Sequence, residues 1–407
     1  MNTKVLAVAV VAVLVVGGLA AVFVLTDNDD DNNEKLSTAG KEITDAAGRK
    51  VIVPDNLNNG IITVGSNGPL RFLSCFDVVG KVIEVDKGDV TDPKNGRAYS
   101  YAYDYTNLEW HPDNVLEAET AEKIGNKNPS LIVTSLGIWN SYKATFEPLS
   151  EHFTTLVIPN QDMMVMWTSD YKAAPWLQDM FNMIGTMLGQ EDRAKEMIDG
   201  VNGIFADVRT YVKTPVDVNT YVAGLTINGS NPLNTTFPTY LPLMLVSGKN
   251  AYTGGSTASR VDLTEEQFAV MDIDQVVIDP SSSDKLKDNS SQLVMKNIYG
   301  KNTDSDPNNN IRLYVTLPMV WDSANYDCIL AGSYYLAYLL YNSLTLEKVT
   351  EKVNAVFELF YGDDGENVLE DMQSFFVGKS ASNNTILSLF KEVKIAYTGT
   401  TYTLIDA

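Results

Sequence analysis

Apolar positions in this chain fall into short continuous runs that alternate with helically spaced segments, and one such pairing occurs twice. Glu122-Lys123-Ile124-Gly125 leads through a polar turn into Leu131-Ile132-Val133-Thr134-Ser135. Glu266-Gln267-Phe268-Ala269 leads in the same way into Gln275-Val276-Val277-Ile278, 144 positions later. Helical spacing gives way to a β-branched run at one offset in both copies, the pattern of a helix feeding a buried parallel strand. Repetition at this separation predicts two similar α/β lobes with a ligand space between them.

The flanking segments extend that order. Ile43 to Pro54 reads as a hairpin with an Ala-Gly turn, its second strand ended by Pro54. Ile61-Ile62-Thr63-Val64 is a buried strand, followed by a Gly65–Pro69 loop, an apolar helix over Leu70–Phe76 and a strand over Lys81–Val85. Such a β-α-β unit has parallel strands and a right-handed crossover. A helix near Tyr142–His152 precedes the strand Thr155–Ile158. From Pro175 to Tyr211 the helical pattern is at its longest, with Trp176, Met180, Met183 and Met187 at helix spacing and Gly189 as an interruption. Strand signals resume at Val218–Val222 and Arg312–Thr316, and apolar helices follow across Leu330–Leu340 and Leu346–Tyr361. Tyr397, Tyr402 and Leu404 read as added β structure. The resulting division is a signal anchor or transmembrane helix at 1–26 and an acidic tether at 27–40. An N-terminal α/β lobe at 41–170, a linking helix at 171–213 and a C-terminal α/β lobe with an extension at 214–407 complete it.

Charge changes the picture at the N-terminus. The 30 basic and 52 acidic residues leave a net charge of −22, which excludes a broad nucleic-acid surface and suits an exposed extracytoplasmic protein. Val5 to Leu25 is uninterrupted by charge, long enough to cross a bilayer. Lys4 before it and Asp27, Asp29, Asp30 and Asp31 after it place the rest of the chain outside the cytoplasm. A cleaved signal peptide is the competing reading, since Gly17-Gly18-Leu19-Ala20-Ala21 offers small residues for cleavage.

Candidate chemistry is sparse. Cys75 and Cys328 alone give no disulfide framework and read as separate buried thiols. Asn-x-Ser/Thr sequons begin at Asn228, Asn234, Asn289 and Asn383. His111 and His152 are too few for a histidine-rich metal site, and Met163, Met164 and Met166 read as packing residues. No nucleophile elbow, zinc-protease pair, phosphate loop or dinucleotide fingerprint is present, so no catalytic residue, metal site or cofactor is assigned.

The hairpin phrase Thr44-Asp45-Ala46-Ala47-Gly48-Arg49-Lys50-Val51-Ile52-Val53-Pro54 resembles the opening of class III ABC-transporter substrate-binding proteins, which carry ferric siderophores, haem and cobalamin. That family begins its mature domain with Thr-Asp-x-x-Gly-Arg-x-Val-x-Val-Pro. The resemblance continues in order through both helix–strand copies to Phe360-Tyr361-Gly362. In the turns of the copies, Ser130 replaces an aspartate and the second copy, at Ile273-Asp274, lacks the proline. The resemblance implies two α/β lobes joined by a single long rigid helix, a ligand cleft between them and little hinge motion, preceded here by the N-terminal transmembrane helix. It also implies that Glu122 and Glu266 dock into arginine pockets of a permease dimer. Taken alone, each is equally a solvated helix-start glutamate favoured by the helix dipole.

In open α/β lobes ligands sit beyond the carboxyl ends of the strands. That rule selects Ser66, Asn67, Trp139 and Trp167 in the first lobe and Asn228, Asn231 and Trp321 in the second, with a surface turn as the alternative for the polar loop Asn228–Thr236. Tyr99, Tyr101 and Tyr103 alternate as on one face of a strand, a flat surface for a macrocycle or aryl-rich chelate. A strand packed on the core has the same spacing. Arg97 could pair with an anionic chelate or stand as a surface arginine. The implied function is the monomeric, membrane-anchored binding component of an ABC importer, with archaeal-style attachment. It would deliver an iron complex or corrinoid to the permease and its ATPase. The alternative is a surface-anchored adhesin or S-layer-associated protein.

Overall fold

The computed structural model describes residues 40–65, 68–91, 96–159, 164–213, 216–225, 231–254, 260–303, 310–321, 323–381 and 387–407. The apolar run Val5–Leu25 and nearly all of the tether lie outside them. Among the described residues no helix is long and apolar enough to cross a membrane.

Strands β1 (Gly40–Thr44) and β2 (Lys50–Pro54) pair antiparallel. Asp45, buried in the turn between them, gives the opening phrase its physical sense. Its carboxylate accepts the amides of Ala47 and Arg49 and the Arg49 guanidinium, the last at 2.6 Å. The turn also needs Gly48, at φ 74°. Arg49 in turn donates to the Thr155 carbonyl at 2.7 Å and lies 3.9 Å over the Trp139 ring. The hairpin is thereby clasped to the first lobe.

That lobe continues through β3 (Ile61–Val64), α1 (Pro69–Leu73), β4 (Val82–Asp86), α2 (Lys87–Thr91), α3 (Tyr99–Ala102) and β5 (Glu109–His111). It closes with α4 (Ala118–Gly125), β6 (Leu131–Ser135), α5 (Leu136–Ser141), α6 (Lys143–His152) and β7 (Thr155–Ile158). The sheet is parallel throughout, in the order β5-β4-β3-β6-β7. Strands β3, β6 and β7 are buried along their length except at Ser135, as continuous apolar runs in parallel sheets are.

The connector is two helices, not one. α7 (Pro175–Leu188) ends at Gly189, whose φ of 70° suits a residue without a side chain, and α8 (Glu191–Tyr211) starts afresh. α7 belongs with the first lobe, while α8 buries Met197, Val201, Phe205 and Val208 and runs along both. Where the helices meet, a Cβ on Gly185 would stand 2.6 Å from that of Ala194. Gly185→Val should therefore cost about 1–3 kcal/mol through overpacking. A denaturant midpoint equal to wild type would refute so close an approach.

The second lobe comprises β8 (Asn219–Ala223), β9 (Thr235–Thr236), α9 (Leu241–Leu245), β10 (Lys249–Asn250), β11 (Val261–Asp262), α10 (Glu265–Ala269), β12 (Gln275–Ile278), α11 (Asn289–Thr303) and β13 (Arg312–Val315). A short pair, β14 (Val320–Trp321) and β15 (Ser323–Ala324), precedes α12 (Tyr326–Tyr341), α13 (Leu346–Tyr361), α14 (Val368–Ala381), β16 (Glu392–Tyr397) and β17 (Tyr402–Asp406). Its sheet runs β10-β8-β12-β13-β16-β17, with the first four strands parallel and the last two added antiparallel.

The repeat holds at the level of elements. α4 and α10 end, and β6 and β12 begin, 144 positions apart. Each of these strands sits between the first and the next parallel strand of its sheet. The helix starts differ: Glu266 lies in the first turn of α10, but Glu122 is well inside α4. Glu122 is thus not a helix-start residue.

Candidate functional site

In each lobe a buried aspartate organises the loops beyond the carboxyl ends of the strands. Asp86, at the end of β4, accepts the amides of Gly65 and Asn114, each at 2.8 Å, and so fixes the loop after β3. Asp279, following β12, accepts the Ser281 amide and hydroxyl at 3.0 and 2.6 Å and the Met319 amide at 3.0 Å. Burial raises the Asp279 carboxyl to about 6 against the pull of these donors.

Between these supports α1 and α12 meet. Arg71 is the one charged residue of α1, and Asp327 the one charged residue of α12. Arg71, 4% exposed, donates through Nη1 to the Ala324 carbonyl across the lobes. Among the described residues its Nε and Nη2 have no hydrogen-bond partner. Asp327 accepts the Tyr361 hydroxyl at 2.5 Å and the Cys328 amide at 2.7 Å. Burial pushes its carboxyl up, opposed by the Tyr361 hydroxyl and the charge of Arg71. Arg71, Phe72, Cys75, Tyr326, Asp327, Phe360 and Tyr361 line a cavity of about 10 Å³. That is the threshold for one water.

Aromatic contacts close this space. The ring of Tyr326 lies 5.8 Å from Phe72 and 5.3 Å from Trp176. Tyr103 meets Tyr361 edge-on at 6.1 Å and donates to the Tyr361 carbonyl at 3.3 Å. A second concavity, about 500 Å³ and wide open, lies between β1 and α7 and is lined by Ile43, Asp179 and Met183. It opens beside Pro159, just past the carboxyl end of β7, and none of its described lining residues holds an unpartnered buried polar atom.

The residues selected from the sequence scatter. The tyrosine run is a helical turn, not a strand, because Ser100 and Tyr101 amides bond back to the Arg97 and Ala98 carbonyls. Tyr99 and Tyr101 are buried, Tyr99 donating to Asp89 at 2.6 Å and Tyr101 packing on Phe375, so no flat tyrosine face is presented. Tyr103 alone of the three reaches the cavity's wall, and burial raises its hydroxyl to about 12. Arg97 is 2% exposed and lies 3.6 Å from the Asp89 carboxylate, which rules out the surface-arginine reading. Asp89 is raised to about 6 by burial, with Arg97 opposing.

Trp139 is buried against Phe146, 5.2 Å away, in the smaller core of the first lobe and away from the cavity. Trp167 packs edge-on against Phe205 of α8 and bridges to Ala173, again as a packing residue. Asn231 is buried and bonded. Trp321 lies in β14, with its side chain outside the described residues, as are Ser66, Asn67 and Asn228. Glu122 and Glu266 are exposed. Cys75 and Cys328 are both buried and free. Arg71 and Asp327 were not selected from the sequence. Their signal was there as the one charge in each of two apolar helices flanking a strand end.

No protein-family model matches the chain. No curated protein matches it either. Solved structures do. It is similar to the molybdate periplasmic binding protein MolA of Haemophilus influenzae, solved bound to molybdate, with TM-score 0.58 and 15% identity over 79% of this chain and 98% of that one. It is similar to a periplasmic solute binding protein from Veillonella parvula, with TM-score 0.55 and 14% identity over 81% and 96% of the two chains. An ABC transporter solute binding protein from Sulfurospirillum deleyianum gives TM-score 0.53 at 14% identity, covering 79% and 95%. The chain has the two-lobe α/β fold of these periplasmic binding proteins.

Proposed function

We propose that this protein is the extracytoplasmic solute-binding component of an ABC importer. It takes a metal-bearing solute, such as a ferric siderophore or haem, between its lobes and passes it to a permease. The observation that supports this reading is a cavity where α1 of the first lobe meets α12 and α13 of the second, walled by Arg71, Tyr326 and Tyr361. A ligand the size of a siderophore or haem enters only as the lobes part, so its binding includes a measurable change of shape. Attachment to the membrane through Val5–Leu25 belongs to the same reading. Neither a corrinoid cargo nor an adhesive role draws support from any feature of this fold.

Glu122 and Glu266 serve as permease contacts in this scheme. Both are exposed and stand on helices that feed equivalent strands, and Val270 beside Glu266 is 83% exposed. Exposed charges on rigid lobes at a fixed separation suit oriented encounter with a two-fold receptor. The test is uptake of a metal-bearing solute captured by the full chain from native medium and identified by mass spectrometry. Reversing both glutamates to arginine should abolish uptake and leave solute affinity unchanged. A chain that captures no solute would defeat the reading; unchanged uptake by the double variant would remove the docking assignment.

A further inference from the structure

A guanidinium that is 4% exposed and leaves Nε and Nη2 without an acceptor among the described residues is costly, and the Tyr99 ring 5.6 Å from it offers these N–H groups no acceptor oxygen. Those two N–H groups form the edge of the guanidinium that takes two oxygens of one anion side by side. Arg71 is tied by Nη1 to Ala324 and lines the interlobe cavity, so its position is held. No hydrogen bond or ion pair joins it to Asp327, whose oxygens are taken by Tyr361 and Cys328.

Size narrows the ligand further. A tetrapyrrole between the lobes would separate Phe72 and Trp176 from Tyr326, Tyr103 from Tyr361, and Tyr101 from Phe375. A single oxygen-rich group needs only local widening of a cavity of about 10 Å³. We propose that Arg71 is the oxyanion-binding residue of the interlobe site, its Nε–Nη2 edge gripping two oxygens of a free tetrahedral oxyanion or of a carboxylate or catecholate arm on a metal chelate. The proposal rests on the solute-binding reading above and names the chemistry of its ligand.

Calorimetric titration of the full chain separates the two sources. The free anions are molybdate, tungstate, sulfate and phosphate. The chelates are ferric citrate and a ferric tris-catecholate, with haemin, a tetrapyrrole too large for local widening, and a ferric trihydroxamate, which has no carboxylate or catecholate arm, as contrasts. Arg71→Gln should weaken the bound oxyanion or chelate about 100-fold, and Arg71→Lys, which can still reach Ala324 but lacks the paired edge, about 10-fold or more. Loss confined to the free anions identifies a small oxyanion as ligand; loss confined to citrate or catecholate identifies a chelate arm. Thermal unfolding of each variant without ligand confirms that it is folded, and the rise in Tm with molybdate or ferric citrate gives a second readout. Arg71→Gln binding within threefold of wild type overturns the proposal. If the trihydroxamate or haemin binds regardless of residue 71, the solute-binding reading survives without this residue. If nothing in the panel binds wild type, both fall.

Discussion

Arg193→Ala should lower the unfolding free energy by roughly 2–4 kcal/mol and split a single cooperative melt into two transitions. The residue sits in the first turn of α8 and reaches both lobes at once. Its Nε donates to the Cys75 carbonyl at 3.0 Å, just past α1. Its Nη2 donates to the Leu359 and Phe360 carbonyls at 2.5 and 3.3 Å, in the last turn of α13. Carbonyls at a helix end have no partner within the helix, and a cation there also meets the negative pole of the dipole. One guanidinium thus caps two helix ends that belong to different lobes. Alanine leaves both sets of carbonyls short of a donor and removes a tie across the connector. Lysine, with one point charge, should fall between. Differential scanning calorimetry reads the result, and a single unshifted transition in Arg193→Ala would show that the lobes are held together without it.

The second large effect is on pH dependence. His111, buried at the end of β5, lies 2.9 Å from Glu84 through Nδ1 and 3.6 Å from Asp86 through Nε2. Lys127 bonds Glu84 and the exposed Glu109 beside it. Burial pulls the imidazolium down, but the Asp86 and Glu84 carboxylates outweigh it and raise His111 to about 9. A group raised from 6.5 to about 9 on folding contributes about 3 kcal/mol. That contribution is complete below pH 6.5 and disappears as pH rises through 9. Glu84 has the opposite sign. Burial raises it, yet His111 and Lys127 hold it below its usual value, so its share is lost as pH falls below about 4.5. Urea unfolding of wild type should therefore weaken between pH 6.5 and 9.5 by about 3 kcal/mol more than that of His111→Asn. Parallel curves for the two proteins would mean that His111 is not charged in the fold. The effect reaches the interlobe site, because Asp86 also holds the Gly65 amide of the loop leading to Arg71.

What the sequence made legible was the part governed by periodicity. The β-branched runs at Ile61–Val64, Leu131–Ser135 and Gln275–Ile278 became parallel strands because no other element buries an unbroken apolar run so well. Gly189 announced the break in the connector, which is why two helices stand where one was expected. The candidate site was far less legible. Alternating tyrosines have the spacing of a strand, but local backbone bonds after Arg97 turned them into a helix and tertiary packing buried two of them. The tryptophans were chosen for their loops, yet large rings at strand ends serve the nearest core first: Trp139 went to Phe146 and Trp167 to Phe205. Arg71 and Asp327 come together only through the way the two lobes meet, 256 positions apart, and no local pattern records that.

The antiparallel pair at the end of the chain bears on the order in which the protein is made. Leu313 in β13 finds its outer neighbour in Val393, 80 positions later, and β16 is itself covered by β17, which ends at Asp406. Until those last residues emerge, β13 carries an open row of backbone donors and acceptors, the kind of edge that recruits strands from other chains. A polypeptide synthesised from its N-terminus completes its first lobe early, before β16 and β17 can seal the second. The second lobe is thus the one most open to misassociation, in the interval before β16 and β17 are made.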